Sequence, residues 1–310
     1  MKNILVIGSV NMDMVITTER IPCLGETVIG GEFRTLPGGK GGNQALAAAK
    51  LGGKVKMMCR VGNDIYGETL IQNLQEYGIE TAQDCSVQTN SGIAMITVCG
   101  GDNSIILSQG ANAEWTTEFI DANLDMIKWA DILLLQFEIP METVLYAAEK
   151  AKENDCVVLI NPAPMLPVPS ELLQYTDIFV PNQYEAGHLL GKTIETLEEG
   201  KAAVSELFKS GIGQIIITMG ADGALYNVGN EIRHQSIFRV PAVDTTAAGD
   251  SFIAGVCVGL CRGYAIDKAV LFATAVSAIT VSSMGASSSL PTAVQVNDFL
   301  NQRNLCFHLS

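Results

Sequence analysis

The sequence predicts an α/β fold: a Rossmann-like three-layer α/β/α sandwich in a single domain, residues 1–310, with a small β-sheet lid. Three observations predict it. Short apolar runs such as Ile4-Leu5-Val6-Ile7 and Ile215-Ile216-Ile217 alternate with longer helical stretches, the pattern of a parallel sheet covered on both faces. Polar residues follow several of those runs, at the edge where open α/β sheets bind ligands. The alternation breaks at two consecutive strand-like runs over 93–99 and 104–108 that have no helix between them.

Composition limits what the molecule does. Of 310 residues, 48% are apolar and 17% charged, which suits one large buried core. The net charge of −14 argues against a general nucleic-acid or anionic-membrane surface, so any phosphate site must be local. The apolar run at 4–7 is too brief for a secretory signal core. Residues 269–297 carry no formal charge, but their continuously apolar part falls short of the roughly 18 residues of a membrane span. Eight cysteines without a Cys-x-x-Cys pair read as reduced thiols of a cytoplasmic protein. The histidines, His188, His234 and His308, are too dispersed to mark a metal centre or a Ser-His-Asp site.

Residues 4–8 form the first expected strand, with Asn11 and Asp13 just past its end. Two polar side chains at that edge suit the hydroxyls of a sugar, and equally suit an Asx-rich turn. An extended stretch over 28–36 leads to Pro37-Gly38-Gly39-Lys40-Gly41-Gly42-Asn43-Gln44 and an alanine-rich helix over 45–51. Glycines around Lys40 let the backbone pass close to a small polar ligand, with Asn43 adding an amide; close helix–strand packing selects the same residues. The run does not continue as a Walker P-loop. A strand over 55–61 and a helix over 66–77 continue the alternation.

The two runs at 93–99 and 104–108 read as a hairpin turning at Gly100-Gly101-Asp102-Asn103. Pairing with extended segments among residues 11–36 would make a separate sheet, a lid built from about 12–36 and 93–109; the alternative is an extension of the main sheet. A helix over 116–129, a strand over 132–136, a helix over 141–154 and a strand over 156–160 follow, placing Glu138 and Asn161 beyond strand ends. After a proline-rich loop and a strand over 178–180 come Asn182-Gln183-Tyr184-Glu185. That spacing puts an amide and a carboxylate on one helix face, suited to magnesium through its waters or to a capping pair. A strand over 215–218 ends in Thr218, and Gly220 and Gly223 then turn the chain into an arm over 224–228. This turn admits a nucleotide or simply closes a hairpin.

Asp244-Thr245-Thr246-Ala247-Ala248-Gly249-Asp250 precedes an apolar helix over 252–260. Small residues at a helix start offer unpaired N–H donors and the positive dipole end to a phosphate. A carboxylate there repels phosphate unless it removes a proton from the attacking group, so Asp250 reads as a general base or as an ordinary first-turn acid. Helices over 265–281 and 294–301 flank a polar turn at 282–291.

Taken together, these motifs resemble the ribokinase family of sugar and nucleoside kinases, from Ile4 to about Leu300. The glycine–lysine run resembles its first signature, residues 244–250 its second, and Asn182-x-x-Glu185 its motif associated with magnesium and phosphate; Ala248 is usual in the ribokinase branch. The resemblance implies ATP-dependent phosphorylation of D-ribose at O5. Alternatives are a kinase for 2-deoxyribose, fructose or a nucleoside, or a sugar-binding protein without catalysis. It implies sugar contacts from Asn11, Asp13, Gly39, Lys40, Asn43, Glu138 and Asp250, with Asp250 as base and the N–H groups of Ala247, Ala248 and Gly249 as the anion hole. Asn182 and Glu185 would sit in the water shell of Mg2+, and Thr218, Gly220, Gly223 and Gly249 would line the nucleotide cleft. It further implies an activating K+ near Asp244, Thr246, Thr280, Ser283, Gly285 and Ser289, and a homodimer formed through the lid sheet.

Overall fold

The computed structural model describes residues 2–100, 102–305 and 307; Gly101 of the expected hairpin turn and His308 lie outside them. The apolar runs become strands because their side chains are buried on both faces: Ile4, Leu5, Val6, Ile7 and Leu133, Leu134, Leu135 are fully covered. Among the described residues the strands are β1 (Asn3–Ile7), β2 (Asn11–Thr18), β3 (Phe33–Gly38), β4 (Lys54–Met58), β5 (Val61–Gly62), β6 (Glu80–Thr81), β7 (Ser86–Val87), β8 (Gly92–Cys99), β9 (Asp102–Ser108), β10 (Ile132–Leu135), β11 (Val157–Ile160), β12 (Ile178–Phe179), β13 (Gln214–Thr218), β14 (Ala224–Val228) and β15 (Glu231–Gln235). The α-helices are α1 (Lys40–Lys50), α2 (Ile65–Glu76), α3 (Thr117–Ala122), α4 (Leu124–Trp129), α5 (Met141–Glu153), α6 (Ser170–Gln174), α7 (Gln183–Leu189), α8 (Leu197–Lys209), α9 (Ala248–Cys261), α10 (Ile266–Thr280) and α11 (Ala293–Asn301).

The main sheet runs β15-β14-β13-β12-β11-β10-β1-β4-β6. It is parallel from β6 to β13 and antiparallel only at β14 and β15. The chain moves from β1 toward the β6 edge and later from β10 toward the β15 edge. Right-handed crossovers therefore put α1 on one face and α5 on the other. Helix α9 packs between α1 and α10, and α3, α4 and α6 pack with α5, giving three layers. The order reverses between β1 and β10, whose ends align with Ile7 opposite Leu135. That reversal opens a crevice beyond the strand ends.

A second sheet, β3-β2-β8-β9, stands apart from the first. β2 begins at Asn11, directly after the chain leaves β1, and pairs in parallel with β8 from Asn11 opposite Gly92 to Thr18 opposite Cys99. The expected pairing of the hairpin with the early extended segments is therefore formed, and Asn11 and Asp13 lie at the junction of the two sheets.

Several expected boundaries move. The strand over 28–36 is β3, shifted toward residue 38, and helix α1 starts at Lys40 rather than residue 45, so Gly41 and Gly42 are helical. The helix over 116–129 breaks at Asn123, whose Nδ2 donates to the Phe119 carbonyl at 2.9 Å while its Oδ1 accepts from the Gln83 N–H at 3.0 Å. The strand over 55–61 divides, because Val61 and Gly62 leave β4 to pair with β7. Helices α6 and α8 and strand β15 arise where the sequence reading expects no element.

Candidate active site

Helix α1 reaches the crevice because its first residues have little or no side chain. Gly39, at φ 86°, caps it, and a Cβ there would lie 2.8 Å from the Val10 Cα and the Asn11 nitrogen. A Cβ on Gly41 would lie 2.7 Å from the Ser9 carbonyl. Both glycines are thus required for packing α1 against the β1–β2 connection, and that packing brings Lys40 and Asn43 to the strand ends. Gly38 serves the site differently: a Cβ there would sit 2.2 Å from Asp13 Oδ2.

The residues assigned to the sugar converge. Glu138 follows β10, and its Oε2 accepts from the Ser9 hydroxyl at 2.5 Å and from the Lys40 backbone N–H at 3.1 Å. Asp250, in the first turn of α9, is buried; its Oδ2 accepts from Asn43 Nδ2 at 3.2 Å and its Oδ1 from Gln44 Nε2 at 3.0 Å. Burial, reinforced by the neighbouring charges of Glu138 and Asp250, pushes the Asp13 carboxyl up to about 7. Burial alone would lower the Lys40 ammonium, but Asp250, Glu138 and Glu185 outweigh it and hold the group above its ordinary value. One cation thus serves a cluster of carboxylates, and the excess negative charge suits hydroxyl donors.

Four further residues, Ser9, Gln44, Asn112 and Gln136, hold this constellation and receive no role from the sequence. Asn112 Nδ2 donates to Asn11 Oδ1 at 2.8 Å and to the Val10 carbonyl at 3.0 Å, while its Oδ1 accepts from the Val10 N–H at 3.1 Å. Ser9 holds Glu138. Gln44 spans Asp250 and Asn161 and accepts from Gln136 Nε2 at 2.7 Å. Gln44 is the last residue of the glycine–lysine run, which is its sequence signal. Asn161 completes the tie by donating to the Val180 carbonyl at 3.1 Å.

Thr245, Ala248 and Gly249, just before and beside Asp250, line a cleft of about 620 Å³. Asn182, Thr218, Gly220, Gly223, Ala248 and Gly249 all line it, with apolar walls from Ile237, Phe238, Val240 and Phe252. Ala247 takes the left-handed conformation, φ 59°, and caps α9, which turns the head of the helix toward the cleft. The Ala248 N–H closes a turn on the Thr245 carbonyl at 3.2 Å, so this expected anion donor is already engaged, though in a long bond. Gly249 is exposed, and a Cβ there would meet no protein atom within 4 Å. Packing does not require glycine at that position. Gly223 is the opposite case, since a Cβ there would lie 2.1 Å from the Gln235 carbonyl, a steric demand of the β14–β15 hairpin.

Asn182 and Glu185 form a full capping box on α7. Asn182 Oδ1 accepts from the Tyr184 and Glu185 N–H groups at 2.9 and 2.8 Å, and Glu185 Oε2 accepts from the Asn182 N–H at 2.8 Å. Burial raises the Glu185 carboxyl above its ordinary value, against the opposing pull of that N–H and Lys40. With the cap using Asn182 Oδ1 and Glu185 Oε2, the pair fits a magnesium held through water. Asp244 accepts from the Thr246 N–H and hydroxyl at 2.9 and 2.6 Å and from the Gly285 N–H at 2.9 Å. Burial pushes the Asp244 carboxyl up, but these bonds outweigh it and hold it below the usual range. The Thr280 and Ser289 hydroxyls donate to the Val276 and Ala286 carbonyls at 3.1 and 2.9 Å, and the Ser283 N–H donates to the Thr280 carbonyl at 3.2 Å. Hydroxyls that donate to the backbone keep oxygen lone pairs, and oxygens of this kind, with the Asp244 carboxylate, have the chemistry a hard monovalent cation takes. Among the described residues there is no cluster of three or more His, Cys, Asp or Glu side chains suited to a metal.

Residues 1–293 match the pfkB family carbohydrate kinase. The chain is 38% identical over 302 residues to a Bacillus subtilis protein named ribokinase, covering 97% of this chain and 100% of that one. It is 40% identical over 314 residues to a Salmonella typhimurium protein named deoxyribokinase, covering 96% and 99%. An Arabidopsis thaliana ribokinase structure in complex with ribose and ATP superposes with a TM-score of 0.89 at 32% identity, covering 96% of this chain and 98% of that one.

Proposed function

Because the chain belongs to the pfkB family of carbohydrate kinases, we propose that it transfers the γ-phosphoryl group of ATP to the 5-hydroxyl of D-ribose. The observation that carries this reading is Asp250: a buried carboxylate at the head of α9, tied to Asn43 on the pocket side, while its neighbours Ala248 and Gly249 line the nucleotide-sized cleft. Asn11, Asp13, Gly39, Lys40, Asn43 and Glu138 orient the sugar, which removes much of the entropic barrier to reaction. Asp250 accepts the hydroxyl proton as the oxygen attacks phosphorus. The N–H groups of Ala247 and Gly249, with that of Ala248 once its long turn bond gives way, stabilise the charge on the transferring group at the helix start. Thr218, Gly220 and Gly223 line the nucleotide side.

Asn182 and Glu185 would hold the magnesium of the nucleotide through water, where it offsets phosphate charge. Asp244, Thr246, Thr280, Ser283, Gly285 and Ser289 would hold potassium beside the anion hole. We assign the β3-β2-β8-β9 sheet, segments about 12–36 and 93–109, as the lid of one kinase domain spanning 1–310, closing to exclude water. Its outer strand exposes Ile105, Ile106 and Leu107, which supports a homodimer through the lid. The seven described cysteines are free thiols, which suits the cytoplasm. Among the described residues no helix is long and apolar enough to cross a membrane.

Asp250→Asn should fold and bind ribose yet lose about 100-fold or more in turnover, the scale of a general base. Turnover near that of the parent would remove the assignment. Ribose and 2-deoxyribose run side by side in an ADP-release assay, with fructose and a nucleoside beside them, decide the acceptor. The 40%-identical relative named deoxyribokinase makes 2-deoxyribose the comparison that matters most.

A further inference from the structure

A carboxylate that removes a proton needs one oxygen held toward the acceptor, and among the described residues Oδ2 of Asp250 is bonded only by the Asn43 amide, at 3.2 Å. Oδ1 is held from behind. Gln44 is fully buried, so it does not reach a ligand, and its Nε2 donates to Asp250 Oδ1 at 3.0 Å and to Asn161 Oδ1 at 3.2 Å. Its Oε1 accepts from Nε2 of the equally buried Gln136 at 2.7 Å. An amide with two acceptors at its nitrogen and a donor at its oxygen has one satisfied orientation, because flipping it would face a carbonyl to the Asp250 carboxylate. The fold makes room for this tie: a Cβ on Gly8 would lie 1.9 Å from Gln136 Oε1. The tie joins the end of β10, the second turn of α1 and the first turn of α9, three elements far apart in sequence.

We infer that Gln44 is a positioning residue for phosphoryl transfer: the Gln136–Gln44 amide pair fixes the plane of the Asp250 carboxylate so that Oδ2 is presented to the acceptor hydroxyl. The inference rests on the proposed role of Asp250 as base. Gln44 acts on the reacting oxygen only through Asp250, so its loss should lower kcat and spare sugar binding.

The test is a double-mutant cycle with Gln44→Leu, nearly equal in volume, in the parent and in Asp250→Asn, measured by ADP release together with thermal unfolding. In the parent background kcat should fall about 10-fold or more with the KM for ribose within about 3-fold, and in Asp250→Asn the same change should alter kcat by less than about 3-fold. A folded Gln44→Leu enzyme with kcat within about 3-fold of the parent, while Asp250→Asn is crippled, overturns the inference and leaves the base intact. Equal loss in both backgrounds also overturns it, since a general structural role is blind to Asp250. Parent-like turnover in Asp250→Asn removes the base and the inference together. If Gln44→Leu fails to fold, Gln136→Leu, which frees the Gln44 carbonyl without touching Asp250, carries the same cycle with the same outcomes.

Discussion

Replacing Asp13 by asparagine should make the ligand-free protein more stable at alkaline pH while destroying its affinity for sugar. Asp13 is 9% exposed at the junction of the two sheets, and burial together with Glu138 and Asp250 raises its carboxyl from the ordinary 3.8 to about 7. The folded state therefore binds this proton more tightly than the unfolded chain does. The stability so contributed is fully present below about pH 4 and is lost as pH rises through about 7, above which the fold carries an ionised, poorly solvated acid. The displacement corresponds to about 4 kcal/mol between the two protonation states, an upper figure because the pocket mouth admits water. Asparagine keeps the volume and removes the titration. At pH 8.5 the variant should exceed the parent by about 2–4 kcal/mol, or about 3–6 °C in Tm for a chain of this size, and the advantage should vanish toward pH 4–5. Thermal unfolding of both proteins across pH 4.5–8.5 without ligand reads this, because groups remote from Asp13 cancel in the difference. Ribose should then raise the Tm of the parent and not of the variant, since its hydroxyls donate to the ionised carboxylate. A Tm difference independent of pH would refute the reasoning, and so would a parent more stable than the variant at pH 8.5.

Further outcomes follow from neighbouring residues. Gly249→Ala should leave Tm within about 1 °C, because the added carbon meets no protein atom within 4 Å, yet lower kcat by about 10-fold or more by crowding the transferring phosphoryl group; unchanged turnover would move the anion hole elsewhere. Asn112→Ala removes the donor to Asn11 and should raise the KM for ribose by about 10-fold with kcat largely kept, measured by initial rates over a ribose series. Activity should rise with added KCl at constant ionic strength maintained by a bulky organic cation, and Asp244→Asn should abolish that response; an identical potassium response in the variant would exclude this turn as the cation site.

The strand–helix alternation was legible because the central strands of a covered parallel sheet are unbroken apolar runs, as in Ile4 to Ile7 and Ile215 to Ile217. The crevice followed from topology, since polar residues after several such runs must meet at the strand ends. Helix α8 also carries a local mark, the Thr196–Glu199 capping box, which a sequence reading can use. Strand β15 does not: all of its residues are half-buried or exposed, and it is held by pairing with β14. Asn182 and Glu185 show the limit of motif reading, since capping and metal binding ask for the same residues at the same spacing.

What the sequence determined by itself was the set of short-range requirements: apolar periodicity, glycines where α1 presses on the β1–β2 connection, and small residues before Asp250. These are local because a backbone conformation or a helix start is decided within a few residues. Only the tertiary structure decided which polar side chains hold one another. Gln44 meets Gln136 across 92 positions and Asp250 across 206, and Asn112 meets Asn11 across 101. A buried amide or carboxylate must find a partner, but sequence does not say which one, because that choice depends on where the crossovers bring distant strand ends together.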